Sequence, residues 1–379
     1  MRSCQGYVDH VRGRTVHGWA YSRDDMFANP IQVRIFINGI EAGMATADCN
    51  RPDLLSAGFK TSCHGFEFVI PMEFDEVTSV RAFIDNTDYE LPASAPDHLI
   101  DPGFSRPLPE TWRSGESTYR FPSFFILGAA KCGTTSLHGY LAAHPLICMS
   151  NPKEPFYFEA ECSYGEKFYF NRYFWQWNDE QVVGEARHRN LYLPFVPPRI
   201  HAYNPDAKLI VLLRNPIERC VSHWWHWYSR GLDPLPFWKA VQDDFERIQS
   251  GSDLSTPEAA AMYARTLDAQ GQGCFRTYLD SGYYYEQILR YTELFPVERL
   301  KIIFCDDFFR DPAATVREVL EFLNIDPDSS PLPDVTPHNV SKPGMFTGVD
   351  DRAITWLRSH YWRHNRKLED WLERSLPWG

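Results

Sequence analysis

The stretch Gly128-Ala-Ala-Lys131-Cys132-Gly133-Thr134-Thr135-Ser136 has the make-up of an anion cradle. It stands between a short apolar run and an amphipathic stretch, so a strand feeds a helix through a glycine-containing loop. Successive backbone N–H groups and a helix N-terminus at such a junction favour negative charge. Against the pattern G-x-x-x-x-G-K-[ST], Gly128, Gly133 and Thr135 match. Thr134 occupies the lysine position, and the cation stands three residues earlier, at Lys131. A lysine after the second glycine reaches β- and γ-phosphates, and the hydroxyl after it holds Mg²⁺. A lysine inside the loop lies close to the first phosphate, and no aspartate ends the next apolar strand to assist a metal. The loop suits a nucleotide with a short 5′ anion and no metal. A degraded triphosphate loop and an ordinary strand-turn-helix are the competing readings.

A second cation follows about 80 residues later, in Leu212-Leu-Arg214-Asn-Pro-Ile-Glu-Arg219-Cys-Val-Ser222. Arg214 emerges at the carboxyl end of a buried apolar run, where open α/β sheets bind ligands. Pro216 suits the first turn of the next helix, and Ser222 lies two turns on. A guanidinium and a hydroxyl make a fork for a second phosphate. Alone, Arg214 would be expected to form a capping salt bridge. Paired with the displaced-lysine loop, it reads as the other half of a two-anion site.

The elements that must hold these groups are legible in the patterning. The 379 residues correspond to two or three domains at roughly 150 residues each. Residues 1–95 read as an all-β, sandwich-like domain, with strands at 16–22, 31–38, 41–47, 65–71 and 80–85. Asn38-Gly39 is a hairpin turn signal, and Phe66, Phe68 and Ile70 alternate with Glu67 and Val69. Residues 96–120, punctuated by Pro96, Pro102, Pro107 and Pro109, read as a linker. From 121 to 379 strands alternate with helices, which predicts a parallel sheet covered on both faces. Strands are expected at 124–127, 182–186, 208–213 and 300–305. Helices are expected at 134–143, 217–229, 257–268, 283–294, 313–323 and 350–376. The fold class is α/β: a P-loop-type parallel sheet flanked by helices, preceded by the small all-β domain.

Composition excludes several functions. Net charge is −12, which argues against a nucleic-acid or anionic-membrane binder and requires any anion site to be built locally. No run approaches the ~20 apolar residues of a membrane span. Met1-Arg-Ser-Cys-Gln-Gly lacks the apolar core of a signal peptide. Nine cysteines, an odd number without a C-x-x-C pair, argue against a disulfide framework or zinc site and for a reducing cytoplasm.

Residues 121–379 resemble the sulfotransferases that use 3′-phosphoadenosine 5′-phosphosulfate (PAPS). The family's 5′-phosphosulfate loop resembles Ala130-Lys-Cys-Gly-Thr-Thr-Ser, and its 3′-phosphate motif resembles Leu213-Arg-Asn-Pro-Ile-Glu-Arg-Cys-Val-Ser. Gly282-Tyr-Tyr-Tyr-Glu-Gln-Ile and Phe308-Phe-Arg-Asp-Pro are further matches in the right order. The resemblance implies that Lys131 contacts the 5′-phosphosulfate and stabilises the leaving phosphate. It implies that Cys132, Gly133, Thr134, Thr135 and Ser136 cradle that phosphate, that Arg214 and Ser222 bind the 3′-phosphate, and that no metal is needed. Lys342, in Val340-Ser-Lys-Pro-Gly-Met, matches a nucleotide-contacting loop.

The acceptor's hydroxyl proton needs a base. Asn151-Pro-Lys153-Glu154-Pro-Phe-Tyr-Phe158 resembles an element of carbohydrate sulfotransferases, including the heparan sulfate type, in which the Glu is the base. This implies Glu154. His188 is the competitor, placed near the catalytic His of the phenol and steroid enzymes. Gly184-Glu-Ala-Arg-His-Arg departs from the carbohydrate pattern there, which leaves the substrate contacts open. Arg187 and Arg189 either meet an anionic acceptor or are solvated. The run Trp224-Trp-His-Trp-Tyr228 reads as a packing face in preference to a sugar platform. The N-terminal segment resembles a β domain found beside bacterial glycan-modifying enzymes, which implies acceptor binding or docking. The expectation is a cytoplasmic, bacterial, PAPS-dependent enzyme acting on a carbohydrate hydroxyl. The alternatives are a small-molecule alcohol or phenol with His188 as base, a P-loop kinase, and a non-catalytic glycan-binding protein.

Overall fold

The computed structural model describes residues 4–93, 121–260, 276–331 and 349–378, apart from 13, 23–29, 52–53, 55–58, 60–61, 72–73, 75–76, 78, 252–253, 255 and 257–258. The expected linker, the greater part of the 257–268 helix and Lys342 lie outside the described residues. Those that are described form two compact units.

The first unit holds β1 (Cys4–Arg12), β2 (Thr15–Ser22), β3 (Ile31–Ile37), β4 (Ile40–Ala47), β5 (Cys49–Asn50), β6 (Cys63–Val69) and β7 (Val80–Ile84). They pair antiparallel in two sheets, ordered β1-β2-β6-β5 and β4-β3-β7. Val8, Val16, Ala20 and Phe66 from one sheet and Val33, Ile35, Ile37 and Ala82 from the other share one apolar core. Asn38 and Gly39 turn the β3–β4 hairpin with φ of 52° and 82°, the positive values such a two-residue turn requires. Residues Ser163–Gln176 also belong to this unit and carry the helix α2 (Gly165–Tyr173).

The second unit is a five-stranded parallel sheet ordered β12-β11-β8-β10-β9, from Phe124–Gly128 (β8), Ile147–Met149 (β9), Val182–Ala186 (β10), Lys208–Leu213 (β11) and Leu300–Phe304 (β12). Its helices are α1 (Thr134–Ala142), α3 (His188–Tyr192), α4 (Val196–Tyr203), α5 (Pro216–Tyr228), α6 (Phe237–Gln249), α7 (Tyr284–Thr292), α8 (Cys305–Arg310), α9 (Pro312–Phe322) and α10 (Asp351–Leu372). All five residues of β8 are buried, as an unbroken apolar run in a sheet covered on both faces requires. The chain enters at β8 in the middle, builds out to β9 and β10 on one side, and returns to place β11 and β12 on the other. The carboxyl ends of β8, β10 and β11 meet at this reversal of strand order, which is where such sheets form a binding crevice. Among the described residues, no helix is long and apolar enough to cross a membrane.

Candidate active site

The loop after β8 is held open by two left-handed residues. Lys131 has φ 67° and Gly133 φ 90°. A Cβ on Gly133 would stand 3.1–3.3 Å from the rings of Phe309 and Phe308, so a side chain there is crowded as well as strained by the left-handed backbone. Gly133 offers no side-chain cap to α1, and the first turn of α1 carries no acidic residue. Helical geometry leaves the N–H groups of that turn without intrahelical acceptors. Thr135 is exposed there, while Thr134 and Ser136 are buried. Beneath the loop, Cys305 Sγ donates to the carbonyl of Cys132 at 2.7 Å, and Phe308 packs edge-on against Tyr140 of α1.

Lys131 Nζ lies 3.2 Å from His226 Nδ1, and Arg230 Nη1 lies 2.6 Å from the same atom. Both cations can only donate, so Nδ1 is the acceptor and the imidazole carries its proton on Nε2. Burial, then the charges of Lys131 and Arg230, push His226 down to about 4. Burial, then Arg230 and Arg214, pull Lys131 down to about 8. An anion placed here relieves that repulsion.

Arg214 stands at the carboxyl end of β11 and binds Glu218 Oε2 through Nε at 3.1 Å and Nη2 at 2.8 Å. The expected capping salt bridge therefore exists. It is an i,i+4 pair whose carboxylate is half exposed, worth about 0.3–0.5 kcal/mol, and a phosphate competes with it easily. Asn215 caps α5 by accepting from the Ile217 N–H at 3.0 Å, and Ser222 is buried two turns along.

Glu154 has φ 69°, and its backbone N–H donates to the carbonyl of Ala186 at 3.0 Å, which fixes it at the carboxyl end of β10. Its Oε2 accepts from the His188 backbone N–H and lies 3.0 Å from His188 Nδ1, while Oε1 takes the ammonium of Lys153. Burial pushes the Glu154 carboxyl up, but His188 and Lys153 outweigh it and hold it well below the usual carboxylate range. An ionised carboxylate only accepts, so Nδ1 donates, and in the neutral imidazole this tautomer places the lone pair on His188 Nε2. The two residues weighed as alternative bases are thus one hydrogen-bonded pair.

Arg187 and Arg189 are neither solvated nor left facing a ligand alone. Arg187 binds Glu159 through Nε at 2.9 Å and through Nη2, and Arg189 binds the same carboxylate at 3.0 Å. The Arg187 guanidinium also lies 3.9 Å from the centre of the Phe156 ring.

Glu154, His188, Arg187, Arg189 and His226 line a cleft of about 230 Å³. Ala129 and Ala130 of the loop form one edge and Glu154 and His188 another, with Phe156, Tyr192 and Trp227 as walls. Thr277, Ser281 and Gln287 add buried polar groups that sequence reasoning did not single out. His226 was also missed, although it lies one helical turn beyond Ser222 and hence on the same face of α5. The aromatic run divides: Trp224 enters the core against Phe237, while Trp227 lines the cleft. Among the described residues, no group of three or more His, Cys, Asp or Glu is arranged to hold a metal.

Residues 121–341 match the family described as "Sulfotransferase domain". The "Membrane-associated sulfotransferase kil1" of Dictyostelium discoideum is 22% identical over 317 residues, 68% of this chain and 66% of that protein. The human "Bifunctional heparan sulfate N-deacetylase/N-sulfotransferase 2" is 29% identical over 226 residues, 58% of this chain but 24% of that protein. The chain thus spans under two thirds of the one relative's length and about a quarter of the other's. The crystal structure of a sulfotransferase from Alicyclobacillus acidocaldarius superposes with a TM-score of 0.54 at 28% identity, covering 68% of this chain and 98% of that one.

Proposed function

The chain belongs to the sulfotransferase-domain family, and on that premise we propose that it moves a sulfuryl group from PAPS to a hydroxyl of a carbohydrate. The acceptor oxygen bonds to sulfur, the bond from sulfur to the bridging phosphate oxygen breaks, and 3′,5′-adenosine bisphosphate leaves. Two demands fall on the protein: negative charge grows on the leaving phosphate, and the hydroxyl must lose a proton.

The observation that carries the reading is that one cleft is lined both by the Glu154–His188 pair and by His226, the imidazole against which the crowded Lys131 ammonium sits. Lys131 lies half-buried with the charges of Arg230 and Arg214 nearby, so the donor set fits an anionic donor with two separate phosphate groups. Lys131 and the backbone from Gly133 to Ser136 hold the 5′ end, and Arg214 with Ser222 the 3′-phosphate. His188 Nε2 receives the hydroxyl proton while Glu154 fixes the tautomer and balances the imidazolium charge. A carboxylate as acidic as Glu154 is a weak base alone, which favours the pair over either residue by itself.

The saccharide acceptor draws on the human relative's name and on the polar lining at Thr277, Ser281 and Gln287. A cleft of about 230 Å³ also fits a small alcohol or phenol, which is the second reading. Seven free thiols among the described cysteines suit a reducing cytoplasm.

The test is calorimetric titration with 3′,5′-adenosine bisphosphate without Mg²⁺, beside Lys131→Ala and Arg214→Ala. Binding weakened at least about tenfold in each variant is expected, since each removes a charge-assisted contact. A folded protein that binds ATP with Mg²⁺ but not the bisphosphate overturns the reading. Transfer of labelled sulfate from PAPS to saccharides against phenols then decides the acceptor.

A further inference from the structure

We propose that Tyr284 is a positioning residue that sets the spacing of the two anion-binding loops. The inference rests on the two-anion donor site proposed above. The backbone ladder between β8 and β11 runs up to the Ala129 N–H and the Leu212 carbonyl, 2.8 Å apart. Beyond that pair the chains diverge into the Lys131 loop and the Arg214 turn. Two residues further on, the contact is made by a side chain: Tyr284 Oη donates to the Arg214 carbonyl at 2.8 Å. The same oxygen lies 4.0 Å from Cys132 Sγ, in the other loop. The phenol's one proton is committed to Arg214 and the thiol also lies 3.5 Å from the Ala130 carbonyl, so the second contact is a packing contact at the outer limit of a sulfur hydrogen bond.

Tyr284 is itself held rigidly. Its ring is 1% exposed. A Cβ on Gly282 would come within 2.8 Å of the Tyr361 ring, so the turn before α7 presses directly on α10. Tyr283, the next residue in the chain, stacks on His364 at 3.8 Å and bonds His360 Nε2 at 2.6 Å. One anchored phenol therefore touches the apex of the first loop and the root of the second. A ligand with two phosphates depends on the distance between the loops, and a preset distance lowers the cost of binding it. A ligand with one phosphate does not sense that distance.

Tyr284→Phe keeps the ring and removes the brace. Titrated with the full chain, it is expected to lose about five- to tenfold in affinity for 3′,5′-adenosine bisphosphate, the scale of one hydrogen bond. For adenosine 5′-monophosphate and 3′-monophosphate the change is expected to stay under about twofold. Cys132→Ala removes the other contact and should shift the same ratio in the same direction, so the test survives poor folding of either variant. In an Arg214→Ala background, Tyr284→Phe should add no further loss. Equal loss for all three nucleotides, or none for the bisphosphate, overturns the proposal. A wild-type protein that binds the bisphosphate no better than the monophosphates overturns the donor-site reading instead, and the brace falls with it.

Discussion

Lys131 holds its charge at a cost that an anion removes. Burial and the charges of Arg230 and Arg214 bring its ammonium down to about 8, against about 10.4 in an unfolded chain. The unfolded chain therefore binds more protons between those values, and this group adds stability to the ligand-free fold as pH rises through that window. Ligand binding runs the other way, since a dianionic phosphate favours the ammonium. Near neutral pH the ammonium is already present and binding takes up almost no proton. At about pH 9 most of the free protein holds a neutral amine, so binding takes up close to one proton and affinity falls with further rise in pH. Titration in two buffers of different ionisation enthalpy measures the uptake. Lys131→Arg, charged throughout, should abolish it. Wild-type binding with no uptake at that pH would assign the cation a different role. The Glu154–His188 pair shows the same lesson at residue scale. Residue types named both partners, but their mutual hydrogen bond depends on the left-handed turn at Glu154, and nothing in the local sequence announces a positive φ at a glutamate.

The elements decide whether such groups meet. Gly133 joins β8's loop to α1 at φ 90°, with Phe308 and Phe309 at its back. Gly133→Ala is expected to cost about 1–2 kcal/mol from the left-handed backbone alone, and the crowding by both rings adds to it. The loop can relieve that strain only by shifting its N–H groups, so nucleotide affinity should fall with the melting temperature. An alanine variant with unchanged affinity would show that the loop's curvature is not needed. The sheet was legible because β8 and β11 carry unbroken apolar runs and β10 and β12 are short apolar stretches interrupted only at Glu185 and Lys301, and α1, α5, α7 and α9 because their apolar stripes repeat at helical spacing. The missed elements have physical reasons. In α6 the buried face is Phe237, Ala240, Val241 and Asp244, and the carboxylate breaks the stripe. Pro197 and Pro198 of α4 read as breakers but occupy a first turn, where no N–H is required. β9 has three residues, too few for a period, and a bulge between Val8 and His10 interrupts the alternation of β1.

At the scale of the molecule, one segment defies the linear order of domains. Ser163–Gln176 lies inside the stretch matched by the family, yet it groups with the N-terminal strands. Its Phe168, Tyr169, Phe170 and Tyr173 are all buried, and three consecutive buried aromatics leave no amphipathic stripe for sequence reasoning to find. The chain therefore passes between the units more than once, and a cut at the expected linker does not separate them. A chain beginning at residue 121 should carry these aromatics without their own unit. It is expected to bind a hydrophobic dye and to lose a cooperative melting transition. Deleting 1–120 and also replacing 163–176 with a flexible Gly/Ser link should restore the transition. If the second unit alone holds the donor, affinity for 3′,5′-adenosine bisphosphate in that protein stays within about threefold of the full chain. We propose that the N-terminal unit docks the saccharide, so the doubly deleted protein should sulfate a monosaccharide as the full chain does and lose turnover on long acceptors. Equal turnover on both would remove the docking role and leave the second unit sufficient for the whole reaction.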